Sequence, residues 1–177
     1  LARSFARLVS VSPGFVTENV LALDLTTPST KFPDAPAKTA FMQKLMDRIA
    51  TVPGVETAGF TINMPMQGFS GDMAMQVVGR QNQPNPGYDA RYDGVAGDYF
   101  SALGIPLLRG RTFTRADNST NAPPVVVCNE SLARKVFPKE DPIGKFARFG
   151  SDRQYEIVGL VGDVKQTRLD DNRTDRL

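Results

Sequence analysis

The 177-residue sequence contains no histidine, no tryptophan and one cysteine. Without histidine there is no Ser-His-Asp or Cys-His nucleophile pair, no imidazole proton shuttle and no His-containing metal site. The only side chain whose unperturbed pKa reports on pH between about 5 and 8 is missing as well. Cys128 has no internal disulfide partner, and in the run Val125-Val126-Val127-Cys128 it reads as a small buried hydrophobe rather than a reactive thiol. No apolar run approaches the roughly 18 residues of a membrane span. The opening Leu1-Ala2-Arg3-Ser4-Phe5 lacks both a methionine and the apolar core of a signal peptide, so a piece of a longer protein is expected. The net charge of +2 leaves little electrostatic footprint for nucleic acid. Arg3, Arg7, Arg109, Arg111 and Arg115 are spread without aromatic interleaving, so nucleic acid is not an expected partner.

What remains is an ordinary globular balance, 41% hydrophobic and 23% charged, enough for one domain or two small lobes. Leu21, Leu23 and Leu25 alternate with polar or small residues and predict a strand over 20–26. Asp34 then caps a predicted helix over 36–52, with Phe41, Met42, Leu45, Met46, Ile49 and Val52 on one face and Pro53-Gly54 as its stop. A return strand over 55–62 completes a β-α-β unit. Further strands are expected over 73–79, 90–96, 125–128, 143–149 and 155–164. Short helices are expected over 98–103, closed by Gly104, and over 130–137, capped by Asn129. The fold class is therefore α+β, two small lobes of short mixed and antiparallel sheets with packed helices. The expected division is a first lobe over 1–80, a linker over 81–89, a second α+β lobe over 90–165, and a polar tail or truncated end over 166–177.

Motifs that carry chemistry are mostly absent from the sequence. Gly104 to Gly110 is the nearest approach to a phosphate-binding loop, but it has five intervening residues, a proline in the turn and Arg111 where lysine belongs. Asp98, Asp117, Glu130, Asp141, Glu156 and Asp163 are scattered, which predicts surface charge rather than an acid-base pair. Asp170-Asp171 with Asp175 lacks the glycine and bidentate glutamate of a calcium loop. Four of six methionines lie within twelve residues, Met64, Met66, Met73 and Met75. Thioether clusters select Cu(I), yet flexible methionines filling a contact between lobes are the simpler reading. Together with Phe69 these four form the candidate partner or substrate surface. No catalytic, cofactor-binding or metal residue is assigned.

One set of stretches says more. Ser12-Pro13-Gly14-Phe15 with Asn19-Val20-Leu21 is followed by Arg48-Ile49, Pro53-Gly54-Val55 and Met64-Pro65-Met66. The run from Asp98 through Tyr99-Phe100 and Gly104-Ile105-Pro106 to Gly110-Arg111 comes next. Asn129-Glu130, Phe137-Pro138, Asp141-Pro142-Ile143-Gly144-Lys145 and Ile157-Val158-Gly159-Leu160-Val161-Gly162-Asp163-Val164 complete the series. In this order and spacing they resemble the MacB-like periplasmic core domain of ABC-transporter permeases of the MacB/FtsX type.

The resemblance implies a non-catalytic domain on the periplasmic side of an inner-membrane protein, placed between its first two membrane helices. Its first lobe is expected to be porter-like. Implied partners are the membrane helices of the same chain, a separate cytoplasmic ATPase subunit or domain, a periplasmic adaptor and a second copy in a homodimer. The function so implied is relay of conformational change, or contact with substrate or adaptor, during export. A different class, a module binding a small molecule or lipid moiety as in lipoprotein release, stays open beside it. A hydrolase with an unusual carboxylate site is the remotest reading, because no nucleophile has a visible activating base. The family domain continues beyond the strand ending at Val164, so an exposed sheet edge that pairs with another copy is a further expectation.

Overall fold

A computed structural model describes residues 12–67, 71–80, 87–119 and 121–166. The first helix, α1 (Ala35–Ile49), starts where its cap dictates. Asp34 has extended backbone, and its Oδ1 accepts a hydrogen bond from the Ala37 N–H at 2.8 Å. Pro36 sits in the first turn, where its missing N–H costs nothing. The helix ends before Val52, and none of its side chains is fully buried. Phe32 packs on Phe41 with ring centroids 4.5 Å apart.

The strand expected over 20–26 does not form. The segment is unpaired among the described residues, and Leu21 and Leu23 are 82% and 76% exposed. Alternation prepares a face, but a strand also needs a neighbour to satisfy its backbone groups. Of the return strand only β1 (Gly59–Thr61) is formed, and its partner lies far ahead in sequence. It pairs antiparallel with β4 (Val95–Gly97), Thr61 opposite Val95.

The single strand expected over 90–96 is in fact two, β3 (Tyr88–Arg91) and β4, in different sheets. Between them Asp93 accepts hydrogen bonds from Thr61 Oγ1 and Asn63 Nδ2, both at 3.2 Å, and so holds the chain at the crossing.

The larger sheet has six strands: β2 (Asp72–Val77), β3, β5 (Leu107–Gly110), β6 (Val125–Asn129), β7 (Phe146–Phe149) and β8 (Gln154–Val161). Its order is β3-β2-β7-β8-β5, with β6 parallel to β8. β2 precedes the 81–89 stretch and pairs with β7 beyond it, Val77 opposite Ala147, so the sheet draws strands from both sides of that stretch. Strand β5 is unexpected. All four of its residues are exposed, and backbone pairing to β8 holds it there. Gly159 makes that pairing possible, because a Cβ on it would stand 2.1 Å from the Arg111 carbonyl oxygen.

β6 and β8 are the centre of the packing. On β6 Cys128 faces one cluster, with Met75, Ala147, Ile157 and the helix α3 (Glu130–Val136) through Leu132 and Val136. Val127 faces the other, with Val158, Val161, Val164 and the short helix α2 (Tyr99–Ala102) with its following turn, through Tyr99, Leu103 and Ile105. The uninterrupted apolar run of β6 reflects burial on both faces. The α+β class stands.

Candidate functional site

Three stretches that are remote in sequence meet beside α2. The Val16 N–H donates to the Leu103 carbonyl at 2.9 Å, and the Gly162 N–H to the Pro106 carbonyl at 2.9 Å. The Lys165 N–H closes the set by donating to the Pro13 carbonyl at 2.8 Å. Gly14 has φ +84°, and a Cβ there would stand 2.0 Å from the Asp163 carbonyl oxygen. Only glycine fits that contact. The Ser-Pro-Gly-Phe stretch, the Gly-Ile-Pro turn and the Gly-Asp-Val stretch are therefore parts of one junction.

Asp163 ties this junction to the start of α3. Its Oδ1 accepts from Asn129 Nδ2 at 2.6 Å and from the Ser131 N–H at 2.9 Å, while Oδ2 accepts from Ser131 Oγ at 2.5 Å. Arg134 stands 3.5 Å from Oδ2. Asn129 also caps α3, accepting from the Leu132 N–H at 3.2 Å. A carboxylate so engaged favours the helix N-terminus and holds β6 to the segment leaving β8.

The arginines near the loop that superficially resembles a phosphate cradle have other work. Arg109 pairs with Asp141 at 2.6 Å. Arg111 grips both oxygens of Asp117, at 2.7 and 2.9 Å, and the Thr114 N–H adds a third bond at 2.7 Å. The Arg111 hydrogen bond holds the Asp117 carboxyl down to about 2. This Thr114-to-Asp117 capping box was legible as a spacing but escaped the motif search. Arg115, in the same turn, pairs with Asp47 on α1. Cys128 is buried, and burial pushes its thiol up to about 12. It is the inert hydrophobe its setting predicted.

Beside the junction lies a cavity of about 340 Å³, walled largely by apolar side chains including Phe100, Phe113, Val125 and Val127. Gln166 also lines it, is 2% exposed, and its Oε1 has no hydrogen-bond partner among the described residues. A second, more polar space of about 580 Å³ separates α1 from the β1–β4 pair.

The methionine surface is distributed among these features. Met75 is fully buried in the sheet core, and Met73, two residues away on the same strand face, lines the 340 Å³ cavity. Met64 is half-buried. Met66 is 37% exposed at φ 67°, and its N–H donates to the Gln166 carbonyl at 2.7 Å. Phe69 lies outside the described residues, as does the acidic run at Asp170, Asp171 and Asp175. Among the described residues no group of three or more Cys, Asp or Glu side chains is placed to hold a metal ion.

The family model of the MacB-like periplasmic core domain covers residues 1–175, and the chain belongs to that family, a periplasmic domain of MacB/FtsX-like ABC permeases. The chain is similar to the macrolide export ATP-binding/permease proteins MacB of Mannheimia succiniciproducens and Aggregatibacter actinomycetemcomitans. To each it is 34% identical over 70 residues, 40% of this chain and 11% of the relative. It thus spans about a tenth of the curated relatives it matches. A solved neighbour is the periplasmic region of MacB from Actinobacillus actinomycetemcomitans, at 25% identity and TM-score 0.48, covering 69% of this chain and 52% of that one. Among the described residues no helix is long and apolar enough to cross a membrane.

Proposed function

We propose that this chain is a non-catalytic relay of an ABC-type permease, passing conformational change outward during export while a cytoplasmic ATPase subunit or domain hydrolyses ATP. The parent is read as an inner-membrane homodimer whose periplasmic face meets substrate or an adaptor protein. The observation that carries this reading is the junction. Pro13 and Lys165 are joined by one backbone hydrogen bond, and the Asp163 carboxylate connects the same place to β6 and α3. A displacement of the 12–16 segment would therefore be passed to the central strands through one backbone hydrogen bond and the Asp163 carboxylate.

The test is Gly14→Val in the parent permease, with export and ATP hydrolysis measured together. Export should fall at least tenfold while hydrolysis continues, and Gly14→Ala should fall between that variant and wild type. Wild-type export by a Gly14→Val protein present at normal level in the membrane would sink the proposal.

A further inference from the structure

We infer that residues 21–55 form a hinged arm, latched to the rest of the molecule by one ion pair between Asp47 and Arg115. This goes beyond the relay reading and does not depend on it. Among the described residues, every hydrogen bond and ion pair made by residues 17–57 stays inside that stretch, with the single exception of Arg115 to Asp47. Packing does not replace the missing bonds, because no side chain of α1 is fully buried. The methyl group of Met46 rests against Gly97, 2.5 Å from where a Cβ would stand. Elsewhere α1 borders the 580 Å³ space, whose far walls include Phe60, Ile62, Val95 and Phe113. A helix seated on a space rather than on side chains gains little of the burial that normally holds one in place.

The ends of the arm suit rotation. Asn19 and Gly54 both have positive φ, 60° and 86°, and a Cβ on Gly54 would meet nothing within 4 Å. Loop positions of this kind absorb the backbone change at a hinge. The latch has one fixed half: Arg115 stands in the 115–118 turn, which Arg111 and Thr114 hold through the Asp117 carboxylate. The other half, Asp47, also accepts from Gln43 on its own helix at 3.2 Å. The Arg115 and Asp47 side chains are 74% and 46% exposed, so water and salt reach the pair. Such a pair holds the arm down by only a few-fold in population, which suits a part that opens and recloses.

The experiment is hydrogen–deuterium exchange of the 177-residue chain, read by mass spectrometry on peptides from α1 and from β8. A 15-residue helix released from its domain is marginal in water, so opening shows as faster exchange within α1. Arg115→Ala should raise α1 exchange about two- to fivefold and leave β8 unchanged. Asp47→Asn should do the same in the wild-type background and add nothing to Arg115→Ala. Raising salt to about 0.5 M should speed α1 exchange in wild type and leave Arg115→Ala as it was. The inference is overturned if α1 of Arg115→Ala exchanges as wild type. It is equally overturned if β8 speeds up in step, since the arm would then not open on its own. Equal effects of Asp47→Asn or of salt in both backgrounds would also sink it, because the two residues would not then act as a pair.

Discussion

Ile157 in β8 is completely buried, whereas Leu23, in an equally apolar stretch, is 76% exposed. Both stretches have the residues of a strand. β8 receives β7 and β5 antiparallel and β6 in parallel, so its backbone groups are satisfied and both of its faces are covered. The 20–26 segment has no strand beside it among the described residues. An apolar alternation thus sets which side chains would face a core. Whether they reach one depends on neighbours that can be far away in sequence.

That contrast is breakable by mutation. Ile157→Ala should cost about 3 kcal/mol, the usual result of emptying a tightly packed site, and urea denaturation would measure it. A loss below about 1 kcal/mol would mean the centre of the sheet is looser than its burial implies.

Asp117→Asn tests a tether at the rim, with a smaller effect. Hydrogen bonding from Arg111 lowers the Asp117 pKa from 3.8 to about 2. A depressed carboxyl stabilises the fold above its unfolded value and loses that contribution as pH falls through the folded one. Because the Arg111 side chain is 45% exposed, solvent screening reduces the expected cost to about 1 kcal/mol near pH 7. Wild type and variant should differ by a constant amount above about pH 5 and converge as the pH falls from about 4 towards 2. A difference that persists unchanged at the acid end would assign the effect to packing instead.

Leu23→Ser should do least, within about 0.5 kcal/mol by the same denaturation measurement. A loss comparable to that of Ile157→Ala would show that the segment is covered in solution after all, and the comparison would collapse.

Local signals were readable before any coordinates. The Asp34 cap and Asn129 cap act over three residues, Gly104 ends the short helix, and the β6 run is apolar on both faces, so each needs only its own neighbourhood. Longer-range pairing was not readable. β5 was missed because Leu107-Leu108-Arg109-Gly110 shows no alternation and is held by backbone bonds to β8 fifty residues later. The 90–96 run was read as one strand because the crossing at Asp93 depends on Thr61 and Asn63. Of the candidate site, the stretches that build the junction were visible one by one as a family pattern, but their meeting was not. Gln166 carried no signal at all, since the burial of a glutamine beside a cavity depends on the whole fold.

Cys128 has a practical consequence. A thiol that titrates near 12 and sits at 1% exposure will not compete for maleimide or spin-label reagents at neutral pH. The chain therefore offers a silent background for spectroscopy. A pair of cysteines placed at Asp47 and Arg115, where α1 meets the 115–118 turn, would be the only reactive thiols in these 177 residues. The distance between two labels there would report directly whether α1 separates from the rest of the domain.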